Sequence, residues 1–332
     1  MTAPTRIGVL GCAEIARRRM LPAMAASGRT EIAAIASRAL HRAEEAARPY
    51  GCRAVHGYQA LLEDPSVEAV YVPLPAALHA HWAGAALAAG KHVLAEKPLT
   101  TDREATAELI GSARARGLAL MENVLFVHHS QHETVRTLLS DDVIGELRSF
   151  RAEFTVPRRA DDDIRYSAEL GGGALWDTAV YPLRAALHFL GPRLAVLGAS
   201  LISGPGQEVD TAGAALLRTP DGVTAQLAFG LDHGYRSLYE ITGTRGRITL
   251  DRAFTPPADH VPTLHVETSD GTEILELQPH DQVAATLAAF ADAVRTGKGA
   301  GTAQSACLRQ AALLEEIASS AARNQRPLIQ ES

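Results

Sequence analysis

Arg6-Ile7-Gly8-Val9-Leu10-Gly11-Cys12-Ala13-Glu14-Ile15-Ala16 opens the chain with an apolar run, a glycine turn and the start of a helical pattern. A strand entering a helix through such a turn is the setting of a dinucleotide fingerprint. Read as G-x-G-x-x-G, its small positions are Gly11, Ala13 and Ala16. The first gives a tight turn, the second lets the backbone approach a pyrophosphate, and the third permits close helix–strand packing. Ala13 adds a methyl beside the phosphates, so the motif decides the fold only together with the segments C-terminal to it. Those segments alternate. Segments 31–36, 69–72, 92–95 and 118–121 read as strands, separated by helical patterns at 14–27, to residue 47, 78–89 and 102–115. This spacing predicts right-handed βαβ units and an α/β, Rossmann-type, doubly wound parallel sheet over residues 1–124.

After residue 125 the texture changes. Segments 147–156 and 223–231 alternate as half-buried strands do. Thr219-Pro220-Asp221-Gly222 and Ser269-Asp270-Gly271-Thr272 sit between apolar runs and predict antiparallel hairpins. Helical patterns recur near 176–190, 282–295 and 304–323. Residues 125–332 are therefore expected to form an α+β domain with a large open, mostly antiparallel sheet, serving substrate binding and oligomerisation. One face of such a sheet needs a cover, either the domain's own helices or another copy, so a homo-oligomer (dimer or tetramer) is expected.

Composition narrows the class. The 332 residues are 46% hydrophobic and 21% charged, which is ordinary for a globular enzyme with two domains. A net charge of −6 gives no long-range attraction to nucleic acid or to an anionic membrane. No run reaches a membrane span, and the first residues read as a strand rather than a signal peptide. Cys12, Cys52 and Cys307 are odd in number and widely spaced, which suggests reduced thiols and a cytoplasmic location. No metal site is expected from the pattern of histidines and carboxylates.

The end of the second strand sets the cofactor. It reads Ala36-Ser37-Arg38, with Arg42 one helical turn on, and no carboxylate stands there to hold two ribose hydroxyls. A hydroxyl and guanidinium groups suit a 2′-phosphate, so NADP(H) is expected, with solvated helix-start arginines as the bland alternative. Only three lysines, Lys91, Lys97 and Lys298, occur against 29 arginines. A lysine retained in so arginine-rich a chain is one that arginine does not replace, because a lysine can shift its pKa and pass a proton. Lys97 lies in Val93-Leu94-Ala95-Glu96-Lys97-Pro98, at a strand-to-loop exit. Further on, Gly171-Gly172-Gly173-Ala174-Leu175-Trp176-Asp177-Thr178-Ala179-Val180-Tyr181-Pro182 reads as a tight entry to a helix. Asp177 and Tyr181, four apart, are expected on one helix face as a proton-transfer set with Lys97, or else as a cap and an amphipathic residue.

With these segments in hand, the chain resembles the Gfo/Idh/MocA oxidoreductase family along nearly its whole length. The resemblance rests on Gly11-Cys12-Ala13-Glu14-Ile15-Ala16, Pro73-Leu74-Pro75 with Leu78-His79, Glu96-Lys97-Pro98 and Met121-Glu122-Asn123. The triple glycine with Asp177 and Tyr181, and Gly243-Thr244-Arg245-Gly246, complete it. It implies Lys97 beside nicotinamide and substrate, with Asp177 and Tyr181 as the family's acidic and phenolic pair. The implied cofactor set is Gly11, Cys12, Ala13, Glu14, Ile15, Ser37, Arg38, Arg42, Pro73, Leu74, His79, Glu96, Lys97 and Asn123. Within the family the chain looks like NADPH-dependent 3-ketoreductases of dTDP-linked deoxysugars from antibiotic pathways. This implies a nucleotide-sugar substrate meeting Lys97, Phe126, His128, Arg165, Tyr166, Asp177 and Tyr181. Arg158 and Arg159 join Arg165 and Tyr166 as candidates for the diphosphate and base, with a merely charged loop as the alternative. Two departures stand out: Ala76 where the family has asparagine, and Ala179 where glycine is frequent. A dihydrodiol or aldose dehydrogenase using NADP, or a non-catalytic NADP-binding regulator, are the rival readings.

Overall fold

The computed structural model describes residues 3–204, 206–297 and 300–324; Lys298 lies outside them. The chain divides into two compact units, Met1–Val124 with Val283–Leu308, and Leu125–Gln282 with Arg309–Ser332. The sequence expectation gave everything after residue 125 to the second domain, whereas residues 283–308 return to the first unit. There Cys307 joins the apolar core, Arg29 pairs with Asp292 at 2.6 Å and Arg114 donates to Gln304 at 2.9 Å. An amphipathic helix carries no mark of which sheet it will cover, so the pattern alone could not assign this one.

In the first unit, β1 (Thr5–Leu10), α1 (Leu21–Ala26), β2 (Thr30–Ser37) and α2 (Leu40–Ala47) come first. Next in order are β3 (Arg53–His56), α3 (Tyr58–Leu62), β4 (Ala69–Val72), α4 (His79–Ala88), β5 (His92–Glu96), α5 (Arg103–Arg116) and β6 (Leu120–Asn123). Among the described residues they form a six-stranded sheet in the order β3-β2-β1-β4-β5-β6, with every pair parallel. The order reverses between β1 and β4, and ligands bind outside the carboxyl ends of strands at such a switch point. β4 is buried throughout, as a strand covered on both faces must be. Asp102 caps α5 by accepting from Ala105 N at 2.6 Å.

Two local features depart from the sequence reading. β3 escaped notice because Arg53-Ala54-Val55-His56 has no apolar run and no buried residue. The helix expected over 14–27 contains a π turn at Ala16–Met20 before α1. Pro22 stands in the first turn of α1 and has no N–H to give to a carbonyl one turn back, and a wider turn accommodates that loss.

In the second unit, α6 (Ser130–Ser140), β7 (Leu147–Thr155), α7 (Ala174–Asp177) and α8 (Val180–Leu190) precede a run of strands. These are β8 (Ala195–Ile202), β9 (Ala212–Arg218), β10 (Thr224–Gly230), β11 (Arg236–Gly243), β12 (Gly246–Asp251), β13 (Thr263–Thr268) and β14 (Gly271–Glu276). Then come α9 (Gln282–Thr296) and α10 (Ala300–Asn324), whose residues the two units share. Among the described residues the sheet has eight strands, ordered β14-β13-β12-β11-β7-β10-β9-β8, and only the β7–β10 pair is parallel. Both expected hairpins are present, β9–β10 and β13–β14. α7 and α8 pack on one face of this sheet. On β8 and β9, Leu197, Ile202 and Leu216 remain exposed.

Candidate active site

The carboxyl ends of β1 and β2 build a cationic niche. Gly11 adopts φ +120°, closed to most side chains, and an added Cβ would come within 3.0 Å of Leu74 beyond β4. Its N–H donates to Ala36 O at 2.9 Å, so the turn after β1 is tied to the end of β2. Cys12 Sγ donates to the carbonyl of Arg42 at 3.4 Å. Burial raises the pKa of this thiol, opposed by Arg42, a Ser37 hydrogen bond and Arg17. Ser37, Arg42 and Arg17 thus surround one point, beside a cleft of about 220 Å³ lined by Cys12, Arg17, Arg42, Glu45 and Tyr50 among others. Arg38 acts on Tyr58, lowering a phenol pKa that burial raises. Glu14 is turned outward to pair with Arg18 at 2.8 Å, and Ala13 and Ile15 are half-buried. The sequence reading did not include Arg17 in the cofactor set; the signal was the run Arg17-Arg18-Arg19 directly after the fingerprint.

The ends of β4, β5 and β6 hold the loop that carries Lys97. Glu96 Oε1 accepts from Tyr71 Oη and from Asn123 Nδ2, both at 2.6 Å. Tyr71 is fully buried and its pKa lies well above the ordinary phenol value, first through burial and then through Glu96, so it remains a donor. Asn123 is buried, and its Oδ1 has no hydrogen-bond partner among the described residues. A buried acceptor left open at a strand end suits an N–H or O–H of a bound dinucleotide. The Lys97–Pro98 peptide is cis, and Lys97 itself is half-buried. Leu99 N donates to Glu122 Oε1 at 2.9 Å. His79, expected at the cofactor, is 1% exposed, with Nδ1 2.8 Å from Pro98 O and Nε2 2.7 Å from Leu74 O. It staples the loops after β4 and β5 rather than presenting a surface of its own.

In the second unit the triple glycine leads into α7. Gly173 has φ +112°, and its N–H donates to Arg165 O at 2.9 Å. Asp177 ends α7 and accepts from Arg165 Nε at 2.9 Å, while Arg165 also pairs with Asp163 at 3.0 Å. Arg165 is held further above its ordinary pKa by these partners, Asp177 first. Asp177 and Tyr181 do not lie on one continuous helix: α7 stops at Asp177 and α8 starts at Val180. Pro182 cannot donate to Thr178 O, and Tyr181 N takes that carbonyl instead at 3.3 Å. The half-buried Tyr181 ring packs with centroids 4.2 Å from Phe154, 5.9 Å from Phe254 and 6.3 Å from Phe126.

Three expected substrate contacts look different in place. Phe126 is 0% exposed and backs Tyr181 from within the aromatic core. Tyr166 is buried, its hydroxyl donating to Leu231 O at 3.2 Å and accepting from Arg159 N at 3.1 Å. His128 is half-buried, and burial, then Arg184, pushes its pKa down to about 4. Arg158, exposed, pairs with Asp161 and Asp232. Among the described residues no group of three or more His, Cys, Asp or Glu could hold a metal ion.

Residues 5–124 match the Gfo/Idh/MocA oxidoreductase family's NAD-binding Rossmann fold, and residues 132–249 match the Gfo/Idh/MocA C-terminal domain. The chain belongs to the Gfo/Idh/MocA family. Among its relatives, the dTDP-3,4-didehydro-2,6-dideoxy-alpha-D-glucose 3-reductase of Streptomyces violaceoruber is 54% identical over 94% of each chain. A 3-ketoreductase from Actinomadura kijaniata, solved with NADP and TDP-benzene, superposes with a TM-score of 0.93 at 51% identity, covering 96% of this chain and 98% of that one. A D-xylose 1-dehydrogenase (NADP(+)) from Haloferax volcanii is 36% identical over 88% of this chain and 89% of its own. Residues 76 and 179, the two alanines singled out in the sequence, lie at different depths. Ala76 begins a half-buried 3-10 turn, whereas Ala179 is 1% exposed, so its methyl is packed into the helix junction between Asp177 and Tyr181.

Proposed function

We propose that this Gfo/Idh/MocA member is an NADPH-dependent reductase of a sugar ketone, at C3 of a dTDP-linked keto-deoxysugar. The observation that carries the reading is 54% identity along 94% of the chain to an enzyme named for that reaction, joined to the Ser37 hydroxyl and the Arg17 and Arg42 guanidinium groups gathered at the end of β2. When bound, NADPH supplies the hydride. Tyr181 Oη gives its proton to the oxygen that becomes the alcohol, and Lys97 supports the charge developing there. Asp177, ion-paired with Arg165, serves as a hydrogen-bond acceptor that orients a substrate hydroxyl. Support for these roles comes from solved variants of the Actinomadura kijaniata relative, in which one lysine and one tyrosine are replaced. The two positions are separated by the same stretch of chain as Lys97 and Tyr181.

The deciding experiment supplies dTDP-3,4-didehydro-2,6-dideoxyglucose with NADPH carrying deuterium at nicotinamide C4. Deuterium at sugar C3 is the expected product. Label at another carbon, or turnover confined to free D-xylose with NADP+, overturns the reading. The exposed Leu197, Ile202 and Leu216 on β8 and β9 favour a homo-oligomer built on that face. Leu216→Glu should shift the mass in light scattering toward the monomer; an unchanged mass refutes that surface. Cys12, Cys52 and Cys307 are free thiols, which suits a reducing cytoplasm, and among the described residues no helix is long and apolar enough to cross a membrane.

A further inference from the structure

Asp210 is a carboxylate that the proposed chemistry leaves unused. It stands just before β9, half-buried, and no cation pairs with it among the described residues. Desolvation raises its pKa against backbone hydrogen bonds from Leu175 and Ala174 that pull the other way. A carboxylate withdrawn from water without a counter-ion is costly, so its neighbours are informative. Two of its three acceptor oxygens point at one place. Asp210 Oδ2 accepts from Leu175 N at 2.7 Å, and Asp210 O accepts from Ala174 N at 2.8 Å.

Those two donors are the first N–H groups of α7, which leave a helix start unsatisfied unless something caps them. The residue at the cap position is Gly173, which has no side chain to do it. A Cβ there would lie 2.5 Å from Asp210 Oδ1, so the carboxylate occupies the space that a local capping side chain would need. The cap comes instead from 35 residues away along the chain. A serine or aspartate at the cap position would supply a similar hydrogen bond only in a turn that gave up the φ of +112° adopted by Gly173. Only a cap from the sheet fixes where the turn sits, because it ties α7 to the start of β9. What α7 then delivers is Asp177 at its last position, with Tyr181 one junction further on.

We propose that Asp210 is a positioning residue that sets the placement of Asp177 and Tyr181 for the reaction; this rests on the catalytic reading of those two residues. Misplacing a reacting group by about 1 Å can cost on the order of a hundredfold in rate. Asp210→Ala in the full chain should therefore lower kcat by about tenfold or more while the KM for NADPH stays near that of the parent. Asp210→Asn, which keeps an acceptor of the same size, restores most of the turnover. Asp210→Glu keeps the charge but moves it by one methylene, so it should fold and still lose kcat; it stands in should Asp210→Ala not fold.

The decisive comparison repeats Asp210→Glu in a Tyr181→Phe background. A shared step makes the two losses less than multiplicative. Full multiplicativity, or wild-type kcat in Asp210→Glu, overturns the positioning role while leaving the function intact. Wild-type kcat in Tyr181→Phe alone strikes the catalytic reading first, and the role of Asp210 falls with it.

Discussion

The two ends of β5 carry one lysine each, and they treat it in opposite ways. At the amino end, Lys91 is buried and donates to the backbone carbonyls of Asp64 and Val67, both at 2.7 Å. At the carboxyl end, Lys97 is half-buried in a loop held by the Glu96–Tyr71–Asn123 cluster and by the His79 staple. Lys91 gathers a loop under the sheet with a compact ammonium, for which a planar guanidinium is the wrong shape. Retention of lysine in an arginine-rich chain therefore has two physical causes, separated by five residues of one strand. In parallel sheets the amino ends hold structure and the carboxyl ends hold chemistry.

The most direct test of this contrast is to remove each ammonium. Lys97→Ala should lower kcat by about 10²–10⁴-fold and leave the urea midpoint nearly unchanged. Lys91→Ala should do the reverse, costing about 2 kcal/mol of stability by stranding two buried carbonyls, with kcat per folded molecule retained. Lys91→Arg should also destabilise; a stable Lys91→Arg removes the shape argument.

Acid should separate the first unit, which holds both ends of β5, from the second. Burial pushes His128, His129 and His188 in the second unit down to about 4. Their folded pKa lies below the unfolded value, so the stability they contribute is full above about pH 6.5 and is lost as pH falls toward 4. In the first unit, Asp64 is lowered to about 2, mainly by Ser66, so its contribution is lost only as pH falls from about 3.8 through 2. Trp82 and Trp176 report on the two units separately. In single-tryptophan variants the Trp176 fluorescence should change at higher pH than that of Trp82; coincident transitions refute the separation. The smallest effect expected is at Tyr71. Tyr71→Phe removes one buried hydrogen bond to Glu96, worth about 1 kcal/mol, and should lower turnover by less than about tenfold.

Much of the first unit is legible because its signals are local. The Gly11 turn, the Ser37–Arg38 strand end and Glu96-Lys97-Pro98 each declare themselves within a few residues. The partners of Lys91 are not legible, since backbone carbonyls have no residue identity. Tyr71 and Asp210 escaped for a related reason: each acts across the fold on a residue far away in sequence, Glu96 and Leu175 respectively. Pro182 was visible, yet it splits the helix on which Asp177 and Tyr181 were expected to share a face. Phe126 and Tyr166, which the family resemblance places among the substrate contacts, are both buried, and no local pattern in the sequence announces that depth.

The return of residues 283–308 to the first unit has a bearing on biosynthesis. The ribosome delivers all six strands of the parallel sheet early, but the helix that completes their unit emerges only after the whole antiparallel sheet has been made. A nascent chain halted near residue 124 therefore exposes apolar surface that α9 and the start of α10 later cover. Chaperone capture should be strongest during that interval, and release should coincide with the appearance of the last fifty residues or so.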